Sequence, residues 1–501
     1  MISCKYFNDS KSSSVLTLLS IVIIALAVYW PGLNTAYYAD DYQFVFDEPA
    51  SKIFYYFAHP NKLNDFYRPI QASFLAIVQT FFGLETWPIH LTQLSLHITL
   101  ALLVYIVILE FGFSRLHAGI GAVFMLISQT NVHAVLSNDT LSQVGGTFFG
   151  SLSLWFLYLF YRYRIKNPPA SSPDIPSGRK YYILSVGMLM LSLFSKETSA
   201  SFPLMIGVLV LAVNLRAGIK KSAFKKGFAE LLPFIFATCM YLCVWLIVVE
   251  SYPTSGSANY NLNPGANIIV NIATLLFALI VPVSSVMLFS LLKSGLLLAL
   301  GAICILTLTV ALLVLFGLWH TSRRLIVVLI MVFALLGLFP VVLMNHVSEL
   351  YTYNSLPFMA VLFGIGLGNI FLKAGTYRFG RISLSLMLCS LIISHAVAAH
   401  SKARLMADNG SRLMTLVKQI RPYMDNAPPD GTIWLRKPTT TEIEYSIFCM
   451  PGFKVMASSR RLWHRADVRF HTIPPEGISD ISPPKDALVL TLHGEKVVVE
   501  R

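Results

Sequence analysis

YYADDYQFVFDEP, which begins at Tyr37, and NDFYRP, which ends at Pro69, bound the most charged stretch in the first part of this sequence. The stretch follows the first long apolar run and precedes others. Its charged residues include Asp40, Asp41, Asp47, Glu48, Asp65 and Arg68. A carboxylate pair is costly to place at the exit of a membrane helix, and such pairs are usually metal ligands or acid/base groups. The alternative is a solvated loop whose charges only mark the water boundary.

The composition indicates a membrane protein. Of the 501 residues, 55% are hydrophobic and 13% are charged, and the long apolar runs match the roughly 20 apolar residues that one bilayer crossing needs. The formal net charge of +13 does not call for a nucleic-acid partner, because Lys and Arg concentrate in short loops. The six cysteines form no metal-type cluster, so neither a disulfide framework nor a cysteine metal site is expected.

The distribution of Lys and Arg predicts the topology. We expect about 11 transmembrane helices, with the N-terminus and the basic loops 162–180, 214–228 and 373–381 in the cytoplasm. The first crossing, 15–33, reads as an uncleaved signal anchor, which places the loop 34–69 on the outer face.

The polarity of the chain changes after residue 400. Residues 1–400 are expected to form the membrane domain, and 401–501 a small soluble α+β domain on the outer face. In that domain we expect an amphipathic helix at 401–424 and strands at 432–435, 453–456, 487–492 and 496–499. The predicted fold class is an all-α polytopic membrane protein with a small C-terminal α+β soluble domain.

Polar side chains also lie within the second crossing. His90, Gln93 and His97 are at offsets 0, 3 and 7 and therefore share one helical face. Polar groups on one face at membrane depth usually look into a helix bundle or a wet cavity. For His97 the alternative is an interhelical hydrogen bond.

Under this topology the outer face carries both acids and bases. The residues collected there are Asp40, Asp41, Arg68, His90, His133, Asp139, Lys196, Glu197, Glu349, Tyr351 and Tyr353. Two carboxylates can deprotonate a hydroxyl or hold a divalent metal, while Arg68 and Lys196 can hold a phosphate. The set fits a reaction in which a hydroxyl acceptor displaces a phosphate from a lipid carrier. The simpler interpretations are an Arg68 that snorkels at the interface and a Lys196–Glu197 ion pair in a turn.

At these positions the sequence resembles the GT-C class of integral-membrane glycosyltransferases, and within it the protein-O-mannosyltransferase-like branch that includes the membrane part of transmembrane-and-TPR mannosyltransferases. The resemblance covers residues 15–400. Five motifs occur in the order of the family: Asp40-Asp41, Arg68-Pro69, His90-x-x-Gln93-x-x-x-His97, Ser195-Lys196-Glu197 with Pro203, and Glu349-Leu350-Tyr351-Thr352-Tyr353.

The chain departs from the pattern of that branch at several positions. His133 stands near the place of an expected Glu, Leu350 replaces an Arg, and Leu141 and Gln143 stand in place of a Gly-Arg-x-Asp element. A TPR array is missing. The sugar and the acceptor of the characterised relatives therefore do not transfer to this chain.

The resemblance implies an inverting transfer of a sugar from a polyprenyl-phosphate donor to a hydroxyl acceptor. Asp40 would be the general base, and Asp41 would orient the acceptor or share a divalent metal with Asp40, although no cofactor is required. Arg68 and Lys196 would bind the donor phosphate. Substrate contacts are expected from the remaining residues, namely His90, Gln93, His97, His133, Glu197, Glu349 and Tyr351.

The expected location is a multi-pass position in a bacterial plasma membrane or a eukaryotic ER membrane, with the catalytic face outside or lumenal. Three other functions stay open. A transporter would show repeat symmetry and midplane charges, a ligase or polymerase of lipid-linked glycans would carry its key residues in a large late loop, and a non-enzymatic anchor would tolerate loss of the Asp pair.

Overall fold

The computed structural model describes most of the membrane domain and part of the C-terminal region. The described residues are 11–45, 53–59, 66–166, 176–216, 221–249, 262, 264–345, 347–374, 378–436, 467–473, 483–484, 487–493 and 496–500. The residues Asp47, Glu48 and Asp65 and the predicted strand 453–456 lie outside them.

Helices dominate the described residues. In chain order they are α1 (Lys11–Tyr29), α2 (Pro69–Phe82), α3 (Trp87–Glu110), α4 (Arg115–Ile127), α5 (Asn131–Leu136), α6 (Leu141–Lys166), α7 (Pro176–Ser195), α8 (Ser201–Arg216), α9 (Lys221–Val249), α10 (Asn267–Ile280), α11 (Ser285–Lys293), α12 (Leu297–Trp319), α13 (Arg324–Leu336), α14 (Leu356–Ala374) and α15 (Arg378–Asp425). Short 3-10 helices lie between them, and three matter below: Ala39–Phe44, Glu197–Ala200 and Glu349–Asn354.

Seven of the described helices are long and apolar enough to cross a membrane, and five shorter apolar helices of 10–17 residues accompany them. The chain is therefore an integral, multi-pass membrane protein. The predicted count of about 11 crossings stays a prediction, because helices such as α4 and α10 fall short of the roughly 20 residues of a simple crossing. The sequence also predicts that residues 268–281, which end before Pro282, are embedded without crossing. This segment corresponds to the 14-residue helix α10.

The chain forms two compact units. The helical unit comprises Met1–Trp30, Gln93–Val135 and Ser142–Lys402, and the loop–sheet unit comprises Pro31–Thr92, Leu136–Leu141 and Ala403–Arg501. The loop 34–69, which the charge bias predicts to be the first outer loop, is thus grouped with the C-terminal region. The sequence-based boundary at 400/401 stays a prediction.

Helix α14 is the most buried of the candidate spans, with 78% of its apolar window inside the helical unit. It packs against α4, α12 and α13. The contact with α12 requires glycine, because a Cβ on Gly317 would lie 2.0 Å from the carbonyl oxygen of Gly366. Lipid tails are as apolar as leucine, so close backbone packing of this kind is a main source of association between membrane helices.

The predicted last crossing and the predicted amphipathic helix are one continuous helix. Helix α15 runs for 48 residues, and the sequence between Arg378 and Arg421 contains no proline that would end it. In the loop–sheet unit, Gly410 lets this helix approach the first outer loop, since a Cβ there would lie 2.8 Å from the carbonyl oxygen of Ala36.

A four-stranded sheet follows α15 in the loop–sheet unit. Its strands are β1 (Thr432–Arg436), β2 (Arg469–Ile473), β3 (Leu488–His493) and β4 (Lys496–Val499), in the spatial order β2-β1-β3-β4. Strand β1 is parallel to β2 and β3, while β4 is antiparallel to β3. Three of the four predicted strands match this sheet, and β2 was missed.

Candidate functional site

The Asp40-Asp41 motif begins a 3-10 helix, Ala39–Phe44, in the first outer loop. Asp41 closes this turn, because its Oδ2 accepts a hydrogen bond from the backbone N–H of Tyr38 at 3.2 Å. Its side chain is buried, with 1% exposed. Asp40 occupies the preceding position, and its side chain lies outside the part of the chain that the structure describes.

A second turn, Ser137–Thr140, surrounds the Asp41 carboxylate. Oδ1 lies 3.0 Å from the donating backbone N–H of Asp139 and 3.1 Å from the hydroxyl of Ser137, and Oδ2 accepts from Asn138 Nδ2 at 2.8 Å. The first outer loop and the loop before α6 are thereby joined into one acidic cluster, which consists of Asp41, Ser137, Asn138 and Asp139.

Ser137 links the two carboxylates of this cluster. Its Oγ lies 2.7 Å from Asp139 Oδ1 as well as 3.1 Å from Asp41 Oδ1. A hydroxyl has one proton and can donate to only one of them. A proton on Asp41 resolves the conflict, because Asp41 would then donate to Ser137 and Ser137 to Asp139.

The electrostatics of the acidic cluster agree with a protonated Asp41. Burial and the nearby Asp139 carboxylate raise the pKa of Asp41 to about 8, although the bonds from Asn138, Tyr38 and Asp139 act in the opposite direction. Desolvation and a like charge both disfavour the ionised form. Asp139, by contrast, is only partly buried, so its carboxylate is the more accessible of the two.

Arg68 lies at the start of α2, next to this cluster in the loop–sheet unit. The residue before a proline avoids helical geometry, so Arg68 is the N-cap while Pro69 opens the helix. The Arg68 side chain is 8% exposed, and its guanidinium lies over the Phe66 ring at 4.3 Å. One turn further, Gln71 Nε2 donates to the backbone oxygen of Asp139 at 2.6 Å. This bond fixes the beginning of α2 against the acidic cluster.

The polar face predicted on the second crossing exists, and all three of its side chains are buried in α3. In the loop–sheet unit, His90 Nε2 lies 3.0 Å from the carbonyl oxygen of Thr35. In the helical unit, Gln93 Nε2 donates to the carbonyl of Ala134 at 3.2 Å, and His97 Nδ1 lies 2.7 Å from the hydroxyl of Tyr353. These contacts connect helices and loops, so for His97 the interhelical interpretation has direct structural support. Substrate contacts by the three residues stay a prediction.

Lys196 caps the 3-10 helix Glu197–Ala200 between α7 and α8. Its side chain is 4% exposed, and its carbonyl oxygen accepts from the N–H of Ser199 at 3.0 Å. Glu197 is partly buried at the first position of the turn, and His133 is partly buried in the last turn of α5. All of these residues belong to the helical unit.

Glu349 binds protein groups in the helical unit. Its Oε2 forms an ion pair with Lys402 Nζ at 2.8 Å, and its Oε1 accepts from the backbone N–H of Ser285 at 2.7 Å and from the Ser285 hydroxyl. Burial alone would raise the pKa of Glu349, but the Lys402 ammonium and the Ser285 donors outweigh it and hold the pKa below its usual value. Tyr351 lies in the same 3-10 helix and is partly exposed, so it is the better candidate for a substrate contact.

The Asp41 carboxylate does not fit a metal ion in this arrangement. Its two oxygens offer about four acceptor positions. Tyr38 N–H, Asn138 Nδ2–H and Asp139 N–H take three of them, and the Asp41 proton that faces Ser137 takes the fourth. Among the described residues no group of three His, Cys, Asp or Glu side chains could hold a metal ion. The other predicted metal ligand is Asp40, and its side chain lies outside the part of the chain that the structure describes.

Asp139 is the functional candidate to which the sequence analysis, although it counted this residue on the outer face, gave no role in the site. The family pattern directed attention to His133 and to a Gly-Arg-x-Asp element, whereas the acid that reaches Asp41 lies in the Ser137-Asn138-Asp139 turn. One signal could have identified it. Asp139 is the only acidic residue between Glu110 and Asp174.

No protein-family model matches the sequence, and no curated protein matches it. Solved structures do share its fold. ArnT from Cupriavidus metallidurans in the apo state aligns with 86% of this chain and 84% of its own, with a TM-score of 0.52 and 11% identity.

The Archaeoglobus fulgidus oligosaccharyltransferase is similar as well. In the apo form it aligns with 94% of this chain at a TM-score of 0.50 and 13% identity, and in complex with Zn and sulfate with 92% at a TM-score of 0.51 and 12% identity. The chain covers 65% and 62% of the length of those two structures. Both relatives are GT-C glycosyltransferases, and the likeness shows that this chain has their fold.

Proposed function

We propose that the protein is an inverting membrane glycosyltransferase that transfers a sugar from a polyprenyl-phosphate donor to a hydroxyl acceptor at the outer or lumenal face. The observation that carries the proposal is the acidic cluster, in which two distant loops bring Asp41 and Asp139 together beside the start of α2. A pair of carboxylates in different environments, one buried and one partly exposed, suits one group that keeps a proton and another that removes one.

The donor class rests on the fold and on the cations. ArnT has been solved with undecaprenyl phosphate and the archaeal oligosaccharyltransferase with a dolichol-phosphate, and we propose a ligand of the same class here. Arg68 and Lys196 are assigned to its phosphate, and Tyr351 to the substrate. The assignment to the protein-O-mannosyltransferase-like branch belongs to this proposal and rests on the five motifs of the sequence.

The proposed chemistry needs a base. A sugar or protein hydroxyl is too weak an acid to attack unaided at neutral pH, so a carboxylate within hydrogen-bond reach removes its proton while the lipid phosphate leaves. Asp40 is assigned this role by the family resemblance. Asp41 holds the turn that carries Asp40, and the accessible carboxylate of Asp139 is the second candidate base.

The decisive experiment is sugar transfer by the purified full chain in lipid nanodiscs, with release of polyprenyl phosphate from sugar-loaded donors as the readout. Asp40→Asn should lower the rate by about 10² to 10⁴ while expression is retained, because an amide keeps the size of the carboxylate but cannot accept the proton. Asp408→Asn, on α15, is a matched control. An Asp40→Asn enzyme with the wild-type rate would remove Asp40 from this role, and a low rate in Asp139→Asn alone would transfer the role to Asp139.

The phosphate end is tested separately. Arg68→Ala and Lys196→Ala should each weaken binding of undecaprenyl phosphate about tenfold or more, because a charge-assisted hydrogen bond to phosphate is lost. The measurement is a lipid-binding titration in detergent with folding checked by size-exclusion chromatography. Normal lipid affinity in both variants would leave the two residues as interfacial anchors.

A further inference from the structure

Three buried side chains of the helical unit close a ring of hydrogen bonds. Gln143 Nε2 donates to Asn354 Oδ1 at 2.8 Å, Asn354 Nδ2 donates to the carbonyl oxygen of Thr198 at 3.1 Å, and the Thr198 hydroxyl donates to Gln143 Oε1 at 3.4 Å. The three residues are at most 7% exposed. They come from three separate elements, namely α6, the 3-10 helix Glu197–Ala200 and the 3-10 helix Glu349–Asn354.

The chemistry of the ring fixes its orientation. The Thr198 carbonyl can only accept, so the nitrogen of the Asn354 amide must face it, and the Asn354 oxygen must then face Gln143. The Thr147 hydroxyl lies 2.5 Å from the same Asn354 oxygen and 2.8 Å from the carbonyl oxygen of Gln143, and it donates to one of the two. A buried amide that loses its partners costs the free energy of its desolvation. Asn354 therefore holds one position and one rotamer.

The ring acts on the turn that carries Lys196. Thr198 is two residues beyond Lys196, and the N–H of Ser199 closes the turn onto the Lys196 carbonyl. On the α6 side, Gly146 provides the space for this turn, because a Cβ there would lie 2.6 Å from Ser199 Oγ and 3.6 Å from Lys196 Cβ. The turn is thus held by close packing on α6 and by the side chain of Asn354.

We propose that Asn354 is a positioning residue, which fixes the turn Lys196–Ala200 so that the Lys196 ammonium is held ready for the phosphate of the lipid donor. The inference rests on the proposed role of Lys196. The side-chain amide of Asn354 is bonded on both sides to protein groups, Gln143 and Thr198, so no substrate contact is assigned to it. It acts through Thr198, and the ordering of a long, flexible lysine before binding removes part of the entropy cost of capturing the phosphate.

The experiment compares two asparagines that both donate to a backbone carbonyl. Asn354→Leu removes the bond to Thr198. The control is Asn369→Leu on α14, which removes the 3.0 Å bond from Asn369 Nδ2 to the carbonyl oxygen of Gly317. The probe is undecaprenyl phosphate bound to the purified full chain. Asn354→Leu should weaken its affinity about tenfold, and Asn369→Leu should leave it unchanged. In a Lys196→Met background, Asn354→Leu should add no further loss, because the two changes act on one contact.

A second readout does not depend on the lipid. Amine labelling of Lys196, referenced to the exposed Lys373 in the same sample, should rise about tenfold in Asn354→Leu, because the turn is released. Unchanged labelling would overturn the positioning role, as would an equal loss of affinity in the wild-type and Lys196→Met backgrounds. Raised labelling in a chain that binds no undecaprenyl phosphate would retain the positioning of Lys196 and reject the proposed donor. If Asn354→Leu does not fold, Asn354→Asp keeps the volume and replaces only the Nδ2 donor, with the same outcomes expected.

Discussion

Single residues decide the chemistry of the acidic cluster. Asp41 accepts hydrogen bonds from the Tyr38 N–H, the Asn138 amide and the Asp139 N–H. Ser137 donates to Asp139, so the proton between Asp41 and Ser137 belongs to Asp41. The two acids of the cluster therefore have different tasks. Asp41 is buried and keeps the turn closed, and Asp139 is the more accessible of the two.

The protonation of Asp41 gives a pH dependence of stability. Its pKa in the folded chain is about 8, above the value of about 3.9 for an unperturbed Asp. The folded state therefore binds the proton more tightly than the unfolded state, and stability falls as the pH rises from about 4 towards 8, by at most about 1.4 kcal/mol per pH unit. Thermal unfolding in detergent between pH 5 and 9 should show this loss in the wild type. Asp41→Asn should flatten the profile, and a wild-type profile that is already flat would contradict the assignment.

The polar residues of α3 show how far sequence reasoning reaches at this scale. The spacing of His90, Gln93 and His97 predicted a shared face, and all three are buried and bonded. Their partners include the backbone carbonyls of Thr35 and Ala134, and every residue has such a carbonyl, so no sequence signal marks those two. The same limit hid the pairing of Asp41 with Asp139, which depends on a contact between positions 98 residues apart.

Among the elements, the 3-10 helix Glu349–Asn354 stands out because its side chains lead to three different places. Glu349 pairs with Lys402 on α15, Tyr353 contacts His97 on α3, and Asn354 holds the turn after Lys196. The sequence motif drew attention to this same segment. Its first and last residues, Glu349 and Asn354, bind protein groups. The motif alone did not distinguish a residue that contacts substrate from one that fixes other elements.

Removing only one partner of the ion pair between Glu349 and Lys402 should destabilise the protein strongly. The side chains of Lys402 and Glu349 are 16% and 8% exposed, so Glu349→Gln leaves a mostly buried ammonium without its carboxylate and should cost about 3–5 kcal/mol. The double variant Glu349→Gln/Lys402→Met should recover part of that loss, because no unpaired charge remains. Unfolding in detergent measures both. Because the pKa of Glu349 is held low, the stabilisation is present above about pH 4.3 and is lost as the pH falls below it. A double variant less stable than either single one would argue against a simple pair.

At the scale of the whole molecule, composition and charge predicted the class correctly, and the structural relatives confirm a GT-C fold. The number of crossings was harder to predict, because several apolar helices have 10–17 residues. Hydropathy shows that such a helix prefers an apolar environment. Whether that environment is lipid or neighbouring helices depends on how the helices pack. The hydropathy of a short stretch of sequence carries no information about packing.

The topology is the prediction that belongs to this scale. The bias of Lys and Arg towards alternate loops places 162–180, 214–228 and 373–381 in the cytoplasm, and 34–69 and 401–501 on the other side. Single cysteines can be introduced at Arg179 and Ser411 in a chain whose native cysteines are replaced. A membrane-impermeant maleimide applied to intact cells should label only Cys introduced at Ser411. Labelling at Arg179 alone would invert the orientation, and labelling of both would reject the odd number of crossings.

The glycine contacts of α14 constrain how this sequence can drift over evolutionary time. At Gly317 and Gly366 the two backbones touch, so even alanine has no room, and substitutions are tolerated there only if both helices move apart. Leu298 and Ile305 on α12, by contrast, are 93% and 69% exposed, and any apolar residue serves a surface that faces lipid. Homologous chains should therefore retain small residues along this seam while most of the surrounding membrane sequence changes. Two relatives can then share a fold after nearly every other identity has been lost.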